Sequence, residues 1–477
     1  MTVHPRQVIA VLLVPLLGGC GDNRVAPVHA LEAHFAMSSV TATPPLAPLT
    51  SEEFVGDLTL RQALALALLR SPDLAVAGWE TRAWEARQLQ ARALPNPTLD
   101  VGVENFAGSN SYHGTDAAEY TVRLGQVIEL GGKRSARINQ ARLSGTAAQW
   151  DYESRRLLVL GSVANAFVAV VGAQQRVALA EQSLRTAQQA MQIAEERVTA
   201  GKSTPVETAR AGLALTDARL ILARSQRHMM SARTLLATTW GSSQPRFTNA
   251  VAIVDDWAAP PPLAVLAARL PQHPDLLRFQ AEADSQAALM EWERAAAIPD
   301  VTIGAGYRRF SADSDHAFVA SASIPLPVFD RNQGAIEEAH HRLAKAKAQR
   351  HAAEVALTSE LTAAYQRLIS AYEECDQLKR ESIPIAEKIH LDIETGYRAG
   401  KFSYLDLLEA QRTVTAIRLQ FIDATVDYHQ AAAALERISG GPLPIAVPST
   451  PSTPSTPSTP TTPTTPFSTD TKQESQP

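Results

Sequence analysis

Apolar positions along this chain follow two periods, one after the other, and the order is then repeated. Over residues 72–94, 135–200 and 205–240 they recur at helical spacing among Ala, Gln, Glu and Arg, so each stretch is a predicted helix. Pro72 opens the first, and Pro95 and Pro97 lie beyond its end, as expected at helix termini. Upstream, Thr59 before Leu60-Arg61-Gln62-Ala63 is a candidate N-cap. Between the helices the period drops to two. Leu99, Val101 and Val103 alternate with Asp100, Gly102 and Glu104; after a polar loop at 108–116, Tyr120, Val122 and Leu124 alternate with Thr121, Arg123 and Gly125. This predicts a hairpin over about 98–128, apolar on one face and polar or small on the other.

The same programme runs again. Ser71-Pro72-Asp73-Leu74 is answered by His273-Pro274-Asp275-Leu276, and Ala200-Gly201-Lys202 by Ala399-Gly400-Lys401. The second hairpin spans about 300–326: Val301, Ile303, Ala305 and Tyr307, then Phe318, Ala320, Ala322 and Ile324, supply the apolar positions around a polar loop at 311–315. A helix over about 334–399, with a kink expected at Pro384, and a returning helix over 405–438 complete the repeat. An offset of about 200 residues is far beyond a solenoid unit and indicates a duplicated half-protein. The long helices, of roughly 65 residues, reach about 100 Å. The short and returning helices together nearly match one long helix, so they can stack end to end beside it. Gly201 and Gly400, followed by Lys202 and Lys401, mark the turns, where a residue free to adopt positive φ is needed.

Composition narrows the class. The chain has 477 residues, a net charge of -5 and 6% aromatics, and its basic residues are scattered along helices, so no nucleic-acid footprint is visible. Residues 1–19 read as a lipoprotein signal peptide: Arg6, a short apolar run, then Leu17-Gly18-Gly19-Cys20, which resembles the bacterial lipobox with Cys20 as the lipidated residue. Gly21, rather than Asp, follows it, and that resemblance favours the outer membrane. Residues 20–57 are predicted as an extended tether, 58–245 and 246–441 as the two repeats, and 442–477 as a disordered Ser/Thr/Pro-rich tail. With Cys20 lipidated, Cys375 has no disulfide partner and is expected to be a small buried residue. No further apolar run of about 18 residues is expected, so a membrane crossing must use strands.

These elements predict an α+β membrane protein with internal duplication and four strands per protomer. A long α-helical barrel is continuous with an outer-membrane β-barrel. Each strand is long enough to cross a bilayer, but four strands cannot close, and an open edge in lipid leaves unpaired backbone groups. Several copies must therefore share one barrel: two give eight strands, three give twelve and room for a channel.

The paired Gly turns with their flanks (Arg197 to Ser203, Tyr397 to Lys401) and Leu405-Asp406-Leu407-Leu408-Glu409-Ala410-Gln411 resemble the TolC-type outer-membrane efflux family over about residues 58–441. Gln126-Val127-Ile128-Glu129-Leu130-Gly131-Gly132-Lys133-Arg134 and Ile324-Pro325-Leu326-Pro327-Val328-Phe329-Asp330-Arg331-Asn332 look like its heavy-metal branch, the cobalt–zinc–cadmium and copper–silver type. The resemblance implies a homotrimer, lipid-anchored in the outer membrane and extending into the periplasm. It implies a passive duct that docks on a periplasmic membrane-fusion adaptor and a proton-driven inner-membrane pump of the RND type. Under it Gly201, Lys202 and Gly400 lie at the periplasmic tip, Asp406 and Glu409 align with an acidic gate pair, and Tyr397 and Lys401 align near the contacts that hold the gate. The first repeat has Glu207 and Arg210 where the second has the acidic pair. No enzyme, cofactor or metal site is expected: Gly131-Gly132-Lys133-Arg134 lacks the pattern of a phosphate loop, and adjacent His340 and His341 do not share a helical face. The competing readings are a drug or aromatic-compound duct and, from a different class, a periplasmic helical spacer or adaptor.

Overall fold

A computed structural model describes residues 54–252 and 257–443; the signal peptide, Cys20 and the Ser/Thr/Pro tail lie outside them. A strand β1 (Gly56–Thr59) leads into α1 (Leu60–Arg70) and α2 (Pro72–Arg92). Thr59 caps α1 as expected: its hydroxyl accepts from Gln62 N, and Gln62 Oε1 accepts from Thr59 N. Strands β2 (Thr98–Glu104) and β3 (Glu119–Ile128) form the first hairpin. The 67-residue α3 (Lys133–Thr199) turns at Gly201 into α4 (Pro205–Thr238). The second half runs β4 (Phe247–Val251), α5 (Leu263–Ala267), α6 (Pro274–Ala296), β5 (Val301–Phe310), β6 (His316–Ser323), α7 (Gln333–Gln377), α8 (Ile383–Arg398) and α9 (Tyr404–Ser439).

Helix α3 is the spine. It packs against α2 and α6 towards its start and against α4 and α9 towards its end, with α7 beyond α6 and α8 beyond α9. Short and returning helices therefore stack alongside the long one, as their lengths require. Close approach needs small residues: a Cβ on Gly172 of α3 would lie 2.4 Å from Val426 Cγ2 of α9. The main core surrounds the middle of α3, where Leu160, Val163 and Phe167 pack with Leu64 of α1, Leu236 of α4 and Phe247 of β4. A second core joins α7 to α9 through Leu361, Leu368, Cys375, Tyr428 and Leu435.

Three expectations need correction. First, α3 does contain an 18-residue window apolar enough to cross a membrane (mean hydropathy 1.9), but 67% of it is buried inside the protein. The apolarity serves the core, because this stretch is flanked by α1, α4 and α9. Second, the second long helix is helical throughout its length, as expected, but not α-helical throughout. A π-helical turn (Leu378–Ser382) separates α7 from α8 just before Pro384, whose missing N–H cannot serve an α-helical ladder. Third, Gly56 and Asp57, expected in the tether, belong to β1, which pairs in parallel with β4 and stitches the start of one half to the start of the other.

The hairpins join into one antiparallel sheet, ordered β2-β3-β5-β6. Register places Val101, Val122, Tyr307 and Phe318 in one row and Leu99, Leu124, Ala305 and Ala320 in the next. These rows are apolar and open: Leu99 is 68% and Phe318 90% exposed, while the next row on the same face ends in exposed Arg309 and His316. Among the described residues the outer edges of β2 and β6 have no partner strand.

Candidate functional site

The two interhelical turns are built alike and lie together at the end of the molecule away from the sheet. In the first, Gly201 (φ +71°) donates to Val198 O at 2.9 Å and Lys202 N to Arg197 O at 2.8 Å. In the second, Gly400 (φ +76°) donates to Tyr397 O at 3.0 Å and Lys401 N to Gly396 O at 2.8 Å. Both close a helix through a left-handed glycine. Lys202 and Lys401 are exposed.

A polar cluster bolts one turn to the other. The Tyr397 hydroxyl of α8 donates to Glu207 Oε1 of α4, and Ser203 Oγ donates to Oε2 of the same carboxylate. Arg197 of α3 sits 3.6 Å from Glu207 Oε1, stacks its guanidinium 4.6 Å over the Tyr397 ring, and donates to Tyr397 O at 2.8 Å. The Tyr397 ring is fully buried and meets Tyr404 edge to face at 6.1 Å. Ala190, Ala194, Ala211 and Leu407 wall the cluster. Burial, with the Glu207 carboxylate facing it, pushes the Tyr397 phenol far above its usual value, so it remains a donor at every physiological pH.

Asp406 and Glu409 open α9. Asp406 Oδ2 accepts from Ser403 N at 2.8 Å and Ser403 Oγ at 2.7 Å, and Ser403 Oγ caps Asp406 N. These bonds hold the Asp406 carboxyl below the usual carboxylate range. Both fall on one oxygen. Glu409 is exposed one turn further on. The sequence-predicted acidic pair is thus side by side, with Asp406 also serving as a helix cap.

At the far end, the second face of the sheet carries charge. Arg308 reaches Glu119 (2.8 Å), Glu104 (3.4 Å) and Thr121 (2.9 Å) across three strands, and Arg123 reaches Asp100 (3.5 Å) and Ser321 (3.3 Å). Gly304 and Gly306 leave room for the Arg123 side chain. Among the described residues, no group of three or more His, Cys, Asp or Glu is arranged to hold a metal ion.

Against known proteins, the profile of the outer membrane efflux protein family matches residues 63–242 and 265–441. The chain belongs to the outer membrane efflux protein family. It is 34% identical over 410 residues to the cobalt-zinc-cadmium resistance protein CzcC of Cupriavidus metallidurans, spanning 86% of this chain and 96% of that protein. It is 29% identical to the nickel-cobalt-cadmium resistance protein NccC of Alcaligenes xylosoxydans xylosoxydans, over 61% of this chain and 64% of the other. Among solved structures, the outer membrane channel CmeC of Campylobacter jejuni matches with a TM-score of 0.69 at 17% identity, covering 81% of this chain and 86% of that one. At that identity the likeness speaks for the fold.

In this outer membrane efflux protein, the sequence pointed to the turns but not to their fastening. In sequence Glu207 marks only the first repeat's departure from the acidic pair; the structure makes it the shared acceptor for Tyr397 and Ser203. Arg197 stands in the sequence only as part of the turn motif. The available signal was the duplication: it sets both turns at one level, so charged residues within about two helical turns of either glycine can meet.

Proposed function

We propose that three copies of this outer membrane efflux protein close into one passive duct, a twelve-stranded barrel continuous with a helical tunnel, which exports heavy-metal cations. The observation that carries the duct is the four-stranded sheet with both outer edges unpaired among the described residues and a largely apolar exposed face. In lipid each unpaired backbone group costs several kcal/mol, so strand pairing between copies is required. Residues β2 of one copy and β6 of the next then pair antiparallel, as an even-numbered barrel demands. The charged face with Arg123 and Arg308 lines the wet interior. The metal cargo is supported by the names of CzcC and NccC.

In this reading Cys20 carries the lipid anchor, and a periplasmic adaptor and a proton-driven inner-membrane pump of the RND type deliver substrate at the helical tip. Gly201, Lys202, Gly400 and Lys401 form that tip. Tyr397, Glu207 and Arg197 latch α8 to α3 and α4, and so hold the tunnel narrow. Asp406 and Glu409 from each copy make an acidic ring that concentrates cations. A deletion strain tests the cargo. Increased sensitivity to zinc, cobalt, cadmium or nickel, restored by the gene, is the expected result; sensitivity to aromatic compounds with unchanged metal tolerance would favour a drug duct. Purified protein that forms no conducting pore in planar bilayers would point to a periplasmic spacer.

A further inference from the structure

We propose that the segment between β6 and α7 is a knob that locks adjacent copies together where barrel meets tunnel; this rests on the multi-copy duct proposed above. The two strand-to-helix connections are the same in position and differ in the apolar side chains they expose. The first is tied down: Leu130 N donates to Asp300 Oδ1 at 3.1 Å, and Lys133 Nζ lies 2.7 Å from the same oxygen. In the second, Leu326 is 80% and Phe329 93% exposed, the latter among the most exposed large apolar side chains of the described residues. Leaving both in water forgoes the burial that a Leu and a Phe would otherwise supply.

The opposite edge of the chain offers a receptacle at the same height. Trp84, Leu94 and Pro95, where α2 gives way to β2, line a cavity of about 480 Å³ with Arg137. Height follows from the duplication. Asn332 Nδ2 donates to Glu293 O of α6 at 2.8 Å, and Glu293 matches Ala91 of α2 in the repeat that aligns Pro274 with Pro72. The knob therefore leaves the sheet at the level of residues 91–97. Because β6 and β2 are the two open edges, any ring that pairs them brings Phe329 of one copy beside Leu94 and Pro95 of the next. The occupant of the cavity is thus a second copy of this chain.

Within one chain these sites flank opposite edges of the sheet, three strand spacings or about 14 Å apart, beyond the roughly 7 Å that a disulfide can bridge. The full-length protein carrying Leu94→Cys and Phe329→Cys, with Cys375→Ala, is oxidised in outer membranes and run on non-reducing gels. Cross-linked dimers and trimers, absent from either single-cysteine variant and lost on reduction, are expected. Native mass of the same samples separates the failures. A trimer without the cross-link overturns the knob and leaves the duct standing; a monomer overturns both. Phe329→Trp is expected to resist quenching by brominated phospholipids, and efficient quenching would place the segment in the bilayer and sink the proposal.

Discussion

Replacing Tyr397 by Phe deletes one hydroxyl and keeps the ring. That hydroxyl donates to Glu207 from a fully buried ring, and the acceptor side chain is only 14% exposed. A hydrogen bond to a charged group contributes about 1.5–3 kcal/mol. Ser203 and Arg197 still serve the carboxylate after the change, and some water reaches it, so the loss falls near the lower end, about 1.5 kcal/mol per chain. At about 1.4 kcal/mol per tenfold, the latch shifts roughly tenfold towards release in each copy. In the proposed trimer, release concerted over three copies multiplies these factors to about 1,000-fold. The assay is single-channel recording of the purified trimer in planar bilayers, reading the fraction of time in the wider state. Tyr397→Phe should raise it by at least tenfold, and Glu207→Ala, which removes the shared acceptor, should raise it further. An intact Tyr397→Phe trimer with the wild-type open fraction would refute the assignment of this cluster as a latch.

Asp406→Asn with Glu409→Gln removes both charges while Asn can still accept from Ser403, so block by multivalent cations should weaken without loss of folding; unchanged block in bilayers would remove the acidic-ring assignment. The Asp406 carboxyl is held below its ordinary 3.8, so it stays charged, and capping α9, above that value and loses both roles only as pH falls through the lowered one; its share of the block should persist from neutrality past pH 3.8 and fade only in stronger acid. Gly400→Ala forces a side chain into φ +76°, costing about 1–2 kcal/mol, and should lower the thermal midpoint more than Ala substitution at exposed Lys401. Cys375 is fully buried and its thiol is pushed up to about 11 by burial, so maleimide should label it only after denaturation. Labelling of the native protein at neutral pH would contradict the packing of α7 on α9.

Much of the fold was legible because each element has a period long enough to read. Seven to ten alternating residues define each hairpin strand, and the 67 residues of α3 can hardly be anything but a helix. The pairing of β3 with β5 was not legible: it joins strands some 180 residues apart, and nothing in a local pattern records register between halves. Strands β1 and β4, four and five residues long, are too short to show a period. The apolar middle of α3 looked unremarkable by its neighbours in sequence, whereas its burial comes from α1, α4 and α9. At the tip, the glycines announced the turns through their backbone requirement. The Tyr397–Glu207–Arg197 cluster needed three helices brought to one place before its residues could be paired.

The most direct test of the account is the stoichiometry of the full-length protein extracted from outer membranes, read by native mass spectrometry in a mild detergent. Open strand edges on β2 and β6 predict more than one chain in every particle and no free monomer, and the proposed twelve-stranded duct sets the number at three. A stable single chain with its hairpins intact would contradict the shared barrel and the duct that depends on it.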